Sequence, residues 1–206
     1  MASLIDVAVP APSSNDDVKA VVPTVPETIS SNTTAAPAAT TTPNSAIADV
    51  FVFHHPECYD HNIHDHPEQP DRVATILATL RNHFPDAWFK EAPMATDEQL
   101  MLFHTPEYVA MMKRLCTKAE KGPPFELVPI DSDTILMRKT RNAAYRAAGS
   151  IVAAVDAVIG TPDGGSGSND GRARSAFCCV RPPGHHAERD RACGFCFFSN
   201  AAIGAR

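Results

Sequence analysis

Two adjacent histidines, His185 and His186, and a Cys-x-x-Cys, Cys193 to Cys196, fall within the sixteen residues RPPGHHAERDRACGFC. Imidazole titrates near neutral pH, so a histidine pair in a cleft can serve as general base and electrostatic partner. A solvated surface loop would carry the same pair and do no chemistry. Cysteines at this spacing suit a redox dithiol or half of a zinc knuckle. A thioredoxin-like dithiol needs its first cysteine exposed at a helix N-terminus, whereas the apolar run FCFFSNAAIGA follows directly here and predicts a buried Cys196. A knuckle needs a second Cys or His pair nearby, and the downstream residues hold none. The third reading is one wall of a hydrolytic site whose other walls come from elsewhere in the chain.

Three further stretches hold residues able to join such a wall. HHPECYDHNIHDHPEQP collects Cys58, His61, His64 and His66, a set of soft and borderline ligands that also suits a solvated loop packed near a rim. His54 and His55 end a strand-like run, as supports of a site or as packing. DSDT offers Asp131 and Asp133, and Asp133 would equally cap a helix starting at Thr134 or Ile135. His104 and Tyr108 suit core packing of a helix start, and Cys178 and Cys179 lie in a run that reads as buried and inert.

The elements that must position these residues follow from hydrophobic period and punctuation. DVFVFHH is a β-branched and aromatic run, read as a buried strand. A helix from Asp71 carries Val73, Ile76, Leu77 and Leu80 on one apolar face, with Arg72 at its start beside the His-rich loop. Thr96 with Gln99 forms a capping box that opens a helix at Asp97, and Thr105 with Pro106 opens another. The longest helix is expected over Thr134–Ile159, with Ala144, Ala148, Ile151, Val155 and Val158 in a stripe and its alanines and Gly149 allowing close approach to a sheet. After the loop GTPDGGSGSNDGRAR, SAFCCV reads as a second strongly buried strand. This order predicts an α/β fold with a parallel sheet covered on both faces by helices. His185 and His186 would then stand beyond the carboxyl end of a strand, where such sheets bind ligands, with Gly184 bending the backbone to aim both rings into one pocket.

Composition narrows the function classes. Residues 1–48 hold no Phe, Trp or Tyr and are filled with Ala, Pro, Ser and Thr, a composition expected to stay disordered and leaving residues 49–206 as the folded domain. Net charge is −6, half of it from four acids against one lysine in that arm, and no basic stripe suits a nucleic-acid backbone. No signal peptide, presequence or membrane-spanning apolar run is readable, so a nuclear or cytoplasmic location with reduced thiols is expected.

The string RPPGHHAERDRACGFCFFSNAAIGAR resembles the histone deacetylase family, with HPECYDHNIHDHPEQPDR, FHTPEYV and DSDT matching upstream in order. The resemblance covers about residues 50–206 and looks more like class II than class I. It implies an arginase/deacetylase-like fold and a tunnel for acetyl-lysine over a catalytic Zn2+, a metal that supplies a nucleophile near neutral pH and polarises a carbonyl. On the resemblance His186 is the general base and acid, and His185 is its neighbour. Phe195 lines the tunnel, the Gly194 carbonyl accepts from the substrate amide, Asp133 holds the substrate backbone, and Arg72 lies in a channel associated with acetate release. The family's zinc ligands, an Asp-x-His pair and a later Asp, have no counterpart before Arg206, so the chain is expected to hold only the N-terminal part of the domain. Alone, it should expose an apolar strand edge and be poorly folded, zinc-free and inactive. The implied partners are acetylated histone tails or other acetylated proteins, and corepressor-type proteins. Acetylpolyamine hydrolysis and a non-catalytic interaction role are the alternatives.

Overall fold

A computed structural model describes residues 50–160 and 175–206. The expected arm over residues 1–48 and the glycine-rich loop over residues 161–174 lie outside the described residues. In chain order the elements are β1 (Val50–His54), α1 (Glu57–Asp60), α2 (Pro70–His83), β2 (Trp88–Glu91), α3 (Asp97–Leu100), α4 (Pro106–Lys121), β3 (Val128–Pro129), β4 (Ile135–Leu136), α5 (Thr140–Ile159), β5 (Ser175–Cys178) and α6 (Asn200–Gly204).

The main sheet runs β2-β1-β5, and both pairings are parallel, with Phe51 opposite Trp88 on one side and Ala176 on the other. Parallel neighbours require crossovers, and α2 provides the first. Alternation along β1 sends Val52 to one face, where it packs with Val73 and Leu77 of α2. Phe51 and Phe53 go to the other face and meet Ala154 of α5. The expected two-sided cover is therefore present. A larger cluster joins α4 (Val109, Met112, Cys116) to α5 (Ala144, Tyr145, Ala148) and to Phe197, Phe198 and Ile203. The close approach of α5 centres on Gly149, where a Cβ would stand 2.1 Å from the Pro93 carbonyl oxygen. Both threonine starts form as expected: Thr96 makes the reciprocal capping box with Gln99, and Thr105 accepts from the Tyr108 amide.

Three elements differ from the sequence reading. The long helix begins at Thr140, not Thr134, because Ile135 and Leu136 pair antiparallel with Pro129 and Val128 and fully bury Leu136. Asp133 therefore caps no helix. The run SAFCCV is only partly buried, with Phe177 47 % exposed, because β5 is an edge of the described sheet and only its β1 side is paired. On α2, Ile76 is 38 % exposed, whereas Val73 and Leu77 are buried and the half-buried Leu80 packs against the same cluster, so the docking stripe lacks only Ile76 of the four expected residues.

Candidate active site

Segment 181–199 is built from turns and short bonded pairs rather than a long element, so its shape must be imposed by neighbours. The buried His104 supplies two of these contacts. Its Nδ1 lies 3.1 Å from the Arg189 carbonyl oxygen, and its Nε2 accepts from the Ser199 amide at 2.9 Å. An Nε2 that accepts leaves the proton on Nδ1, so the ring is the neutral tautomer, and burial lowers its pKa accordingly. Tyr108 donates its hydroxyl to the Phe197 carbonyl at 2.6 Å. The reading of His104 and Tyr108 as packing residues is thus incomplete: both are fasteners for the segment that carries the histidine pair.

At the other end of the segment, Arg181 is the largest fully buried side chain. Its Nε and one terminal nitrogen donate to Glu68 Oε2 at 2.9 and 2.5 Å, and its other terminal nitrogen donates to the carbonyls of Cys58 and His61. Glu68, also buried, uses Oε1 to accept from Arg72 at 2.8 Å. One carboxylate therefore joins the start of the histidine segment to the start of α2. Neither Glu68 nor Arg181 stood out in the sequence, although Glu68 and Arg72 have the i, i+4 spacing of a helical ion pair.

These fastenings bring residues from three distant stretches around one cavity of about 340 Å³, lined by Arg72, Asp133, His185, His186, Gly194 and Phe195 together with Glu68. All six candidates from the sequence are in that lining. The rings of His185 and His186 lie 4.2 Å apart, tilted by 53°. Gly184 serves them differently from the expected bend. A Cβ there would collide with the side chain of Asn200, so the glycine admits the start of α6. The sharp bend lies instead at Gly194 and Phe195, both with positive φ, closing a two-residue turn in which Cys193 and Cys196 exchange backbone hydrogen bonds at 3.2 and 3.0 Å. Asp133 Oδ1 accepts from the Gly194 amide at 3.1 Å, and the Thr134 hydroxyl accepts from the Phe195 amide at 3.1 Å. The Phe195 ring meets His66 edge-on at 4.6 Å. Arg72 stands on the cavity wall with its side chain 60 % exposed, so the enclosed arginine of this region is Arg181.

The cysteine and histidine loop is less solvated than expected. His64 is open, but Cys58 and His61 are buried, because Arg181 draws their carbonyls inward. His61 Nδ1 lies 2.8 Å from the Thr140 hydroxyl. Burial, aided by the nearby Arg181 and His66, pushes its pKa down to about 3. His54 contacts Arg81 and Phe89, and His55 accepts from the Glu57 amide, so neither is part of the cavity lining. The six cysteines are free thiols, and burial pushes Cys179 up to about 11. Among the described residues no group of three or more His, Cys, Asp or Glu could hold a metal ion. No helix among them is long and apolar enough to cross a membrane.

Comparison with known proteins gives one consistent result. A family model described as "Histone deacetylase domain" matches residues 66–206. The chain is 34 % identical over 143 residues to Histone deacetylase 5 of Arabidopsis thaliana, covering 68 % of this chain and 20 % of that protein. It is 32 % identical over 165 residues to Histone deacetylase 4 of Caenorhabditis elegans, covering 73 % and 18 %. It is 34 % identical over 146 residues to Polyamine deacetylase HDAC10 of Rattus norvegicus, covering 68 % and 22 %. Among solved structures it is similar to the HDA15 HD domain, with a TM-score of 0.63 and 29 % identity over 76 % of this chain and 42 % of that one.

Proposed function

The chain belongs to the histone deacetylase family, and from that premise we propose that the cavity at His185 and His186 is one wall of a site that hydrolyses the amide of an acetylated amine. The convergence of Arg72, Asp133, His185, His186, Gly194 and Phe195 on one cavity carries this reading. Residues distant in sequence share a surface there with a paired imidazole, the group best suited to exchanging protons near neutral pH.

In this proposal the acetyl group enters along Phe195, whose ring gives the aliphatic stem an apolar surface. Water adds to the carbonyl carbon while His186 takes its proton. The C–N bond then breaks as His186 returns that proton to the leaving nitrogen, giving acetate and a free amine. His185 stands beside His186 and steadies its charged form. The Gly194 carbonyl accepts from the substrate amide. Asp133 keeps the turn in place through the Gly194 amide and orients the substrate backbone, and Arg72 attracts the departing acetate.

The family implies a catalytic Zn2+, which supplies a nucleophile near neutral pH and polarises the carbonyl. The described residues do not fit that ion, since no three ligating side chains converge. Acetylated lysine in histone tails or other proteins is the proposed substrate class, in the nucleus or cytoplasm, with corepressor-type proteins as partners. The polyamine deacetylase among the relatives favours a second reading, an acetylpolyamine, which presents the same amide on an aliphatic amine.

The test is a pair of assays on the full-length protein, one with an acetyl-lysine peptide and one with an acetylpolyamine. His186→Ala should lower kcat for the preferred substrate by about 10²–10⁴-fold. Unchanged turnover in that variant would remove the assignment.

A further inference from the structure

We propose that the turn Cys193–Cys196 is a thiol clamp that aims His186, making Cys193 and Cys196 positioning residues for the reaction. The proposal rests on the reading of His186 as the proton carrier. Four observations meet on this histidine. The Cys193 thiol donates to the His186 carbonyl oxygen at 2.9 Å. The fully buried Cys196 sulfur accepts from the backbone amides of His185 and His186 at 3.4 and 3.5 Å, so the turn grips both peptide groups of His186. The Cys196 thiol in turn donates to the Gly194 carbonyl at 3.3 Å, tying the histidine pair to the bend. Finally, Gly194 packs on the imidazole itself, since a Cβ there would stand 2.7–2.8 Å from Cδ2, Cγ and Cβ of His186.

The two thiols do different work. Cys193 acts as a donor, and desolvation outweighs the pull of Arg191 to keep its pKa above the ordinary thiol value, preserving the S–H that donates. A serine hydroxyl is also a donor and can replace it. Cys196 spans longer contacts, at 3.3–3.5 Å to three backbone groups. A hydroxyl oxygen, on its shorter bond and with its shorter hydrogen bonds, cannot reach all three. Position 193 therefore needs a donor, whereas position 196 needs sulfur.

The experiment follows the histidine ring signals of the full-length protein by NMR alongside deacetylation kinetics. Cys193→Ala should shift and broaden the His186 signals more than those of His185, because the Cys193 thiol bonds to the His186 carbonyl while the His185 ring, 4.2 Å from that of His186, senses only its displacement. It should lower kcat about tenfold with KM changed less than twofold, since a small misplacement of a reacting group costs up to about 10² in rate. Cys193→Ser should restore both. Cys196→Ser should disturb both histidines, as Cys196→Ala does. Undisturbed His186 signals in Cys193→Ala, or a Cys193→Ser variant no better than the alanine, would overturn the clamp. Because Cys193 lies at the surface end of the turn, its variants decide the matter even where a Cys196 variant fails to fold. A wild-type protein that hydrolyses neither acetylated substrate would remove the enzymatic reading, and the ring signals alone would still decide the clamp.

Discussion

Arg181 and Glu68 illustrate how much of the site depends on charges placed where water cannot reach them. Removing one partner of a buried ion pair leaves the other uncompensated, so Glu68→Gln should cost about 3–5 kcal/mol in urea unfolding. It should also free Arg72, which shares the same carboxylate. A loss under 1 kcal/mol would show that the three backbone carbonyls around Arg181 are sufficient by themselves. His61 sets a pH dependence at the same scale. Its pKa falls from 6.5 to about 3 on folding, so the unfolded chain binds the proton first as pH drops. Its contribution to stability is complete above 6.5 and is lost progressively towards 3. Unfolding free energy measured between pH 7 and 4 should therefore decline, and His61→Asn should flatten that decline. His185, His186 and Phe195 were legible because residue type and motif announce them. Glu68 and Arg181 were not, since nothing in a local sequence tells a solvated pair from a buried one.

Helix starts are local events, and the two threonine caps were readable for that reason: the cap, the Pro at the first turn and the Gln three residues on all act within a few residues. The start of α5 was misread because Ile135 and Leu136 found a partner strand, and no local preference reveals such a partner. Gly149 shows the same contest in reverse. In an exposed helix, replacing a central glycine by alanine gains about 1 kcal/mol. Here the new Cβ would press on the backbone of Pro93 and Ala95, where the Ala95 amide also donates to the Tyr145 carbonyl. Gly149→Ala should instead destabilise by about 1–3 kcal/mol, read as a drop in Tm. A rise in Tm would mean that α5 can shift away from this segment.

Across the whole molecule, the three-stranded sheet, α2 and α5 on its opposite faces and the α4 cluster form the frame on which the cavity stands. The described part of that frame holds no trio of metal-ligating side chains. The 206-residue chain, dialysed against buffered zinc, should therefore retain well under one equivalent by elemental analysis; a full equivalent would require ligands that the described residues do not bring together. At the β5 edge of the described sheet Phe177 is exposed, although that run was expected to be buried. The amino-acid sequence by itself determined the parallel α/β arrangement and the helix caps, because hydrophobic period and capping chemistry act over short distances, and its dense motif carried the resemblance that implied the family and the six residues now found around the cavity. Only the tertiary structure decided that those six residues share one cavity, that Arg181 rather than Arg72 is the enclosed arginine, and that two cysteines hold His186 from both sides. Each of these depends on which distant backbone groups meet when the core closes, and pairwise contacts across a hundred residues leave no mark in local residue order.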